Sequence, residues 1–462
     1  MTSFKCWTSR SAVLVTAAAL LPLGMTSASA APVTVSQEPG VTWGVDRPCT
    51  TPASNNIQNC AEVRATATIG TTMFIAGTFD RLVDPVTRET RPAGNLAAID
   101  TATGAPVASW PNPVFNGKIF TLVVSGNKLY VGGAFTKMNS KYAPRVVVLD
   151  ATTGARLPFT TKPNGTVRSL LPVGDKVYVG GRFTTIDGVP RIGAAAVQAE
   201  TGALDPSFIP KLHDQPNRDG SQFVEVRSFA TGTSDGTPTG TPRLYLSGHF
   251  DGIDGITQKL IASVDPVTGA RDGTFAPRAL PGAMDIEGDM EDPLLAGDQV
   301  LPVPATASRA AGVILVQSGH ANRLYRLNPN GRRAWKLTPD GDPQAAVIID
   351  QTVYVGGHFV CIYSCYSADL NTHVNRMHIA AVKYNGTVAN GSLVVDADDN
   401  WAPWLGPEYK PYYYGVWTLN VVAGDLWAGG AFRDVRTDVS GPTRQQPKLT
   451  VFRQLTAPAP TP

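Results

Sequence analysis

Charge is scarce in this 462-residue chain: Asp, Glu, Lys and Arg make up 16% and leave a formal net charge of +2. A nucleic-acid-binding surface needs a strong basic excess on one face, so that partner class is excluded. Long apolar runs are scarcer still. Outside residues 12–23 no stretch approaches the roughly eighteen residues of a membrane-spanning helix. The common signatures of chemistry are missing too. There is no Gly-X-Ser-X-Gly nucleophile turn, no glycine-rich phosphate loop and no His-Glu-X-X-His helix.

Cysteine is sparse, five in all. Cys6 falls within residues 1–30, which read as a secretory signal peptide. Lys5 and Arg10 give a positive start, residues 12–23 an apolar stretch, and Ala28-Ser29-Ala30 a small-residue cleavage site. The expectation is a soluble, secreted, extracellular protein. The other four cysteines, Cys49, Cys60, Cys361 and Cys365, are an even number, which favours disulfides in an exported chain. Local pairs, Cys49 with Cys60 and Cys361 with Cys365, are the simplest connectivity. A zinc site needs tighter clustering of Cys and His.

What the chain has in quantity is glycine (45) and proline (37), and a phrase that repeats. A short apolar run closed by Gly-Gly-X-Phe occurs as Gly132-Gly133-Ala134-Phe135, Gly180-Gly181-Arg182-Phe183, Gly356-Gly357-His358-Phe359 and Gly429-Gly430-Ala431-Phe432. Looser copies are Ala76-Gly77-Thr78-Phe79 and Ser247-Gly248-His249-Phe250, and a degenerate one is Ser318-Gly319-His320. From Gly77 to Gly430 the six intervals average about 59 residues, the period of stacked supersecondary units.

The third copy gives the unit. Strands are expected over 167–173, 176–183, 192–198 and 204–210, with a tight turn at Gly174-Asp175. Asp at the head and Gly at the end of Asp150-Ala151-Thr152-Thr153-Gly154 mark a recurring turn after the third strand. The double glycine predicts close approach of a neighbouring backbone or ring. An aromatic followed by Pro, as in Trp110-Pro111, suits an outermost strand. Four antiparallel strands repeated seven times predict an all-β, seven-bladed β-propeller over 31–455, followed by a Pro-rich tail at 456–462. The last copy supplies only three strands. The segment Val41-Thr42-Trp43 is expected to complete that blade and close the ring.

The phrases Leu129-Tyr130-Val131-Gly132-Gly133-Ala134-Phe135 and Val148-Leu149-Asp150-Ala151-Thr152-Thr153-Gly154 resemble the delta-sixty type propeller repeats of secreted actinobacterial proteins, and are similar to kelch blades. The likeness implies a propeller across residues 41–455. It implies no activity, because propellers host many functions. The Ser-X-Asp-X-Gly-X-Thr-Trp box of sialidase-like propellers is absent, and the free Cys beside Tyr of a kelch-type copper oxidase is not evident.

The long, varied connections, 230–242 excepted, fall between second and third strands or before first strands, which in a propeller open on one face. That face is the expected binding surface. Arg64, Phe120, Arg168, Arg227, Gln344 and Trp417 begin the innermost strands near the channel mouth. There they suit carboxylate or sulfate binding and sugar stacking; alternatively the arginines pair with Glu62 or Glu225 and join blades. The X position of the repeat phrase collects His249, His320 and His358, a set that suits a metal or a general base, or else bonds to neighbouring backbone. In the acidic stretch 285–292, Asp285, Glu287 and Asp289 fit a Ca²⁺ site or a solvated loop. Tyr412, Tyr413 and Tyr414 suit sugar stacking or a protein partner.

The expected function is non-catalytic binding of a polymeric extracellular ligand, a glycan or a cell-surface protein, by a monomer without a membrane span. The alternative is an extracellular polysaccharide lyase or hydrolase. It would use one of the histidines, possible Ca²⁺ or a divalent transition metal, and Arg168 or Arg227 to neutralise a substrate carboxylate.

Overall fold

The computed structural model describes residues 34–47, 60–216, 222–277, 296–303, 311–318, 322–367, 372–389, 392–395, 401–406, 415–438 and 440–455. The proposed leader at 1–30, the tail at 456–462 and Cys49 lie outside these residues. The described chain is nearly all β, and one sheet plan recurs seven times among the described residues. The third sheet shows it: Thr166–Val173 pairs with Lys176–Arg182, which pairs with Ala194–Gln198, all antiparallel. A first strand, a reversal, a central strand and a third strand follow in the same order in every copy.

The first strand of each sheet lies against the first strand of the next. Val416–Val422, in the seventh sheet, lies against Glu62–Ile69 in the first. The core is distributed accordingly. Seven apolar clusters each straddle two successive sheets, and the cluster holding Trp427, Leu449, Val63 and Ile75 joins the seventh sheet to the first. No sheet buries both faces by itself, so each is stabilised by its neighbours.

The turn chemistry follows the sequence. Asp150 Oδ1 accepts from the backbone N–H groups of Thr152 and Thr153, and Gly154 takes φ of 67°. The turn of the second sheet receives the aromatic-Pro pair of the first: Trp110 Nε1 donates to Ala151 O, and Pro111 lies where a side chain on Gly154 would be.

The outer strand departs from expectation. At 204–210 there is no fourth strand, only a single bridge, Val197 with Leu204. Similar bridges stand in the first and fourth sheets. Proline removes ladder donors there, so the outer segment packs through its aromatic instead: Phe208 meets Tyr178 at 5.1 Å.

The N-terminal strand is also placed differently. Thr34–Gly40, not 41–43, pairs antiparallel with Leu449–Leu455 and supplies the seventh sheet's fourth strand. Trp43 follows it, and its backbone N–H donates to Gly104 O in the first sheet's turn.

Candidate ligand-binding face

The double glycine is the mark of a repeated bulge. In the third sheet Val167 pairs with Gly181 and Ser169 with Gly180, so Arg168 has no partner residue. A Cβ on Gly181 would sit 2.1 Å from Thr166 O. A Cβ on Gly180 would meet Phe229 and Val226 of the next sheet at 2.8 and 3.0 Å. One glycine therefore admits the bulge and the other admits the neighbouring sheet. Bulges re-aim a side chain. The residues they set apart are Arg64, Phe120, Arg168, Arg227, Asp298, Gln344 and Trp417.

Six of these seven are the positions singled out from sequence. Asp298 was missed because its sheet lacks the glycine phrase. There Gln317 occupies the central-strand site and the glycine has moved to its partner, Gly297. The same register corrects the alignment of the fifth copy. Ser318 faces Ala296 as His249 faces Glu225, so Ser318, not His320, holds the X position. His320 lies outside the described residues, as do Asp285, Glu287, Asp289, Tyr412, Tyr413 and Tyr414.

The bulged residues touch across the sheets. The Arg64 guanidinium stands 4.4 Å over the Trp417 ring, and that of Arg168 stands 3.9 Å over Phe120. Every one of the three arginines also meets a carboxylate. Arg64 Nε lies 2.9 Å from Glu62, Arg168 Nε 2.7 Å from Glu225, and Arg227 reaches both Glu225 at 2.8 Å and Asp298 at 2.5 Å. Lys118 adds a 2.5 Å contact to Glu62 from the second sheet. The result is two networks of alternating charge, Arg64–Glu62–Lys118 across the first two sheets and Arg168–Glu225–Arg227–Asp298 from the third to the fifth. Burial pushes the Glu225 carboxyl up, but Arg227 and Arg168 outweigh it and hold its pKa at about 2. Glu62 is shifted the same way: Arg64 and Lys118 overcome the effect of burial. Gln344 is half-buried at its bulge.

His249 is nearly enclosed, 7% exposed. It stacks on Phe223 with centroids 4.4 Å apart, and its Nε2 is 3.5 Å from Asp214 Oδ2. The Arg182 guanidinium also lies 3.7 Å from the centroid of the Phe223 ring. His358 is half-buried and sits near His378, whose Nδ1–H donates to Leu405 O at 2.5 Å. Burial first, then the neighbouring His358, lowers the His378 pKa to about 4. His378 was not anticipated from sequence. Among the described residues no group of three or more His, Cys, Asp or Glu side chains is placed to hold a metal.

The long connections between central and third strands fold into small hairpins. These are Arg81–Val83 with Thr90–Pro92, Lys137–Met138 with Lys141–Tyr142, Thr185–Ile186 with Val189–Pro190, Gly252–Ile253 with Ile256–Thr257, Cys361–Tyr363 with Val374–Asn375, and Asp434–Arg436 with Arg444–Gln445. The disulfide Cys361–Cys365 lies in the fifth of them. Cys60 is disulfide-bonded as well. Exposed apolar side chains recur on this face: Val86, Tyr142, Val189, Ile256 and Tyr366, the two tyrosines 66% and 71% exposed. No described helix is long and apolar enough to cross a membrane.

No protein-family model matches the chain, and no curated protein matches it. Solved structures do. The computationally designed protein Ika8 is similar at 13% identity, over 85% of this chain and 96% of its own, with a TM-score of 0.40. BamB from Moraxella catarrhalis is similar at 14% identity, over 85% and 98%, with a TM-score of 0.40. The WD40 β-propeller domain of Doa1 is similar at 9% identity, over 90% and 98%, with a TM-score of 0.41.

Proposed function

We propose that this chain is an exported seven-bladed propeller that binds a polymeric extracellular ligand, a glycan or a cell-surface protein, across its hairpin face without chemical turnover. The observation that carries the reading is the recurrence of exposed apolar residues on successive hairpins: Val86, Tyr142, Val189, Ile256 and Tyr366. Scattered exposed apolar residues need no explanation, but one at the same connection of the first four sheets and the sixth makes a surface that a partner covers.

The same geometry weighs against a lyase or hydrolase built on the channel mouth. Such an enzyme needs an arginine available to a substrate carboxylate and a histidine open to the substrate. Arg168 and Arg227 are occupied by Glu225 and Asp298, and His249 is covered by Phe223. Passing purified protein over immobilised polysaccharides and whole cells tests the reading. Retention without released product is expected, weakened by Tyr142→Ser and Tyr366→Ser together. Depolymerisation of any retained polymer would overturn it.

A further inference from the structure

The cations of the second and third sheets are matched on one side of the fold and unmatched on the other. From Ala105 to Gly174 the sequence holds eight Lys and Arg residues and one acid, Asp150. That acid serves its own turn: Oδ1 accepts from Thr152 and Thr153 N–H, and Oδ2 from Asn127. On the turn side Lys128 has Glu200 at 2.5 Å and Lys176 has Asp205 at 2.6 Å. On the hairpin side Lys137, Lys141, Lys162 and Arg182 are exposed and make no ion pair among the described residues. Asp187 is the one acid in the hairpins of these two sheets. Elsewhere on this face Arg81, Arg91, Lys259 and Arg444 each have a carboxylate.

The two hairpins form one surface. Val114 and Asn139 exchange hydrogen bonds at the tip of the second sheet's hairpin. Arg145, at that hairpin's exit, donates to Pro163 O, and Asp187 N–H, at the tip of the next, donates to Lys162 O. Exposed apolar side chains lie among the cations: Val114, Tyr142, Val189 and Ile192. Lys137 stands directly across the ladder from Tyr142, so the two side chains share one face of the hairpin.

We propose that these two hairpins are the docking surface for an acidic protein, one whose contact region sets Asp or Glu around exposed apolar residues. This rests on the reading that the hairpin face is the binding face, and chooses between the two partners named for it. The unmatched cations ask for negative charge, and the apolar residues decide what carries it. A glycan or another linear polyanion stacks on flat rings, whereas three of the four exposed apolar residues are branched aliphatics. A bilayer takes apolar side chains deeper than basic ones, whereas Lys137 and Tyr142 stand level on one rung. Protein interfaces place apolar contacts among complementary charges in this way.

Biolayer interferometry with the whole chain tests the assignment, at about 50 and 500 mM salt. The probes are a peptide of Glu pairs separated by single Leu or Val residues, the same peptide with Ser for Leu and Val, heparin, and vesicles of phosphatidylglycerol and phosphatidylcholine in equal parts. The first peptide is expected to bind best, and less at high salt. Lys137→Glu with Lys162→Glu should weaken it about tenfold. Tyr142→Ser with Val189→Ser should weaken it too. Arg332→Glu with Lys383→Glu, the same charge change at exposed turn-side positions, should not. All these side chains are exposed, so the variants should melt as the parent does. Four results would overturn the assignment while leaving the hairpin-face reading intact. They are binding indifferent to Lys137→Glu with Lys162→Glu, equal binding of the Ser peptide, tighter binding of heparin or vesicles, or no peptide binding by a chain that cells or polysaccharides still retain. Failure to be retained by any polymer or cell surface sinks both.

Discussion

Gly181 and Arg168 are two parts of one device. The glycine lies opposite the bulge that sets Arg168 apart, and any side chain there would run into Thr166 O at 2.1 Å. Gly181→Ala should therefore destabilise the protein by about 3 kcal/mol, at the upper end for overpacking, since backbone and not a flexible side chain is in the way. Urea unfolding of this variant beside Ala134→Ser, at an exposed X position, measures it. Equal midpoints would show that the bulge tolerates a methyl group.

Glu225 is the shared carboxylate of two arginines, so its removal should be felt more widely than a surface pair. Glu225→Gln leaves Arg168 without its counter-ion, while Arg227 keeps Asp298. Breaking a buried pair costs about 3–5 kcal/mol. The pH dependence has a definite sign. The carboxyl is held at about 2 in the folded protein against an ordinary 4.5, so it stabilises fully above 4.5 and loses that contribution as pH falls toward 2. Melting curves between pH 6 and 2 should show a steep loss in the parent and a flatter one in Glu225→Gln. Parallel curves would mean that the carboxylate is not held by its arginines.

The repeat and the bulged positions were legible because each copy must solve the same steric problem. The first glycine of the pair admits the next sheet, and the second admits the bulge. The solution is written in glycines, which leave a recognisable phrase. Asp298 was illegible because the fifth sheet moves the glycine across the ladder to Gly297, where no phrase forms. The pairing of the arginines was open in the sequence: Glu62-Val63-Arg64 and Glu225-Val226-Arg227 place each acid two residues before an arginine, but only the contact of successive sheets brings Arg168 to Glu225 and Arg227 to Asp298. The N-terminal strand was displaced because Trp43 marks the docking point on the first sheet, not the ladder itself.

Thr34–Gly40 covers what would otherwise be the open edge of Leu449–Leu455. It is fastened by more than the ladder: Trp401 Nε1 donates to Ser36 O, and Arg444 pairs with Glu38 at 2.7 Å. A chain beginning at Val41 should expose that edge and Phe452 beneath it, and associate through it. Light scattering and size-exclusion chromatography are expected to show oligomers that a peptide of residues 34–40 suppresses when added during refolding. A monodisperse truncated protein with the parent's melting temperature would show the strand to be dispensable.

His378 gives the fold a sensitivity to mild acid that is separate from the carboxylates. It takes φ of 65° at the entry to Ile379–Lys383, is 5% exposed, and faces His358 and Asp340. Burial and the charge of His358 depress its pKa to about 4, whereas an unfolded imidazole titrates near 6.5. Below 6.5 the unfolded chain gains a proton that the folded one refuses, so stability falls from pH 6.5 down to about 4 and then levels for this group. The full difference is about 3 kcal/mol. His378→Asn keeps a residue that accepts the left-handed backbone and removes the titration. Chemical unfolding at pH 7.5, 6, 5 and 4 should show the parent ahead at pH 7.5 and its advantage shrinking as the pH falls. A constant gap between the two proteins would mean that His378 is protonated as readily folded as unfolded.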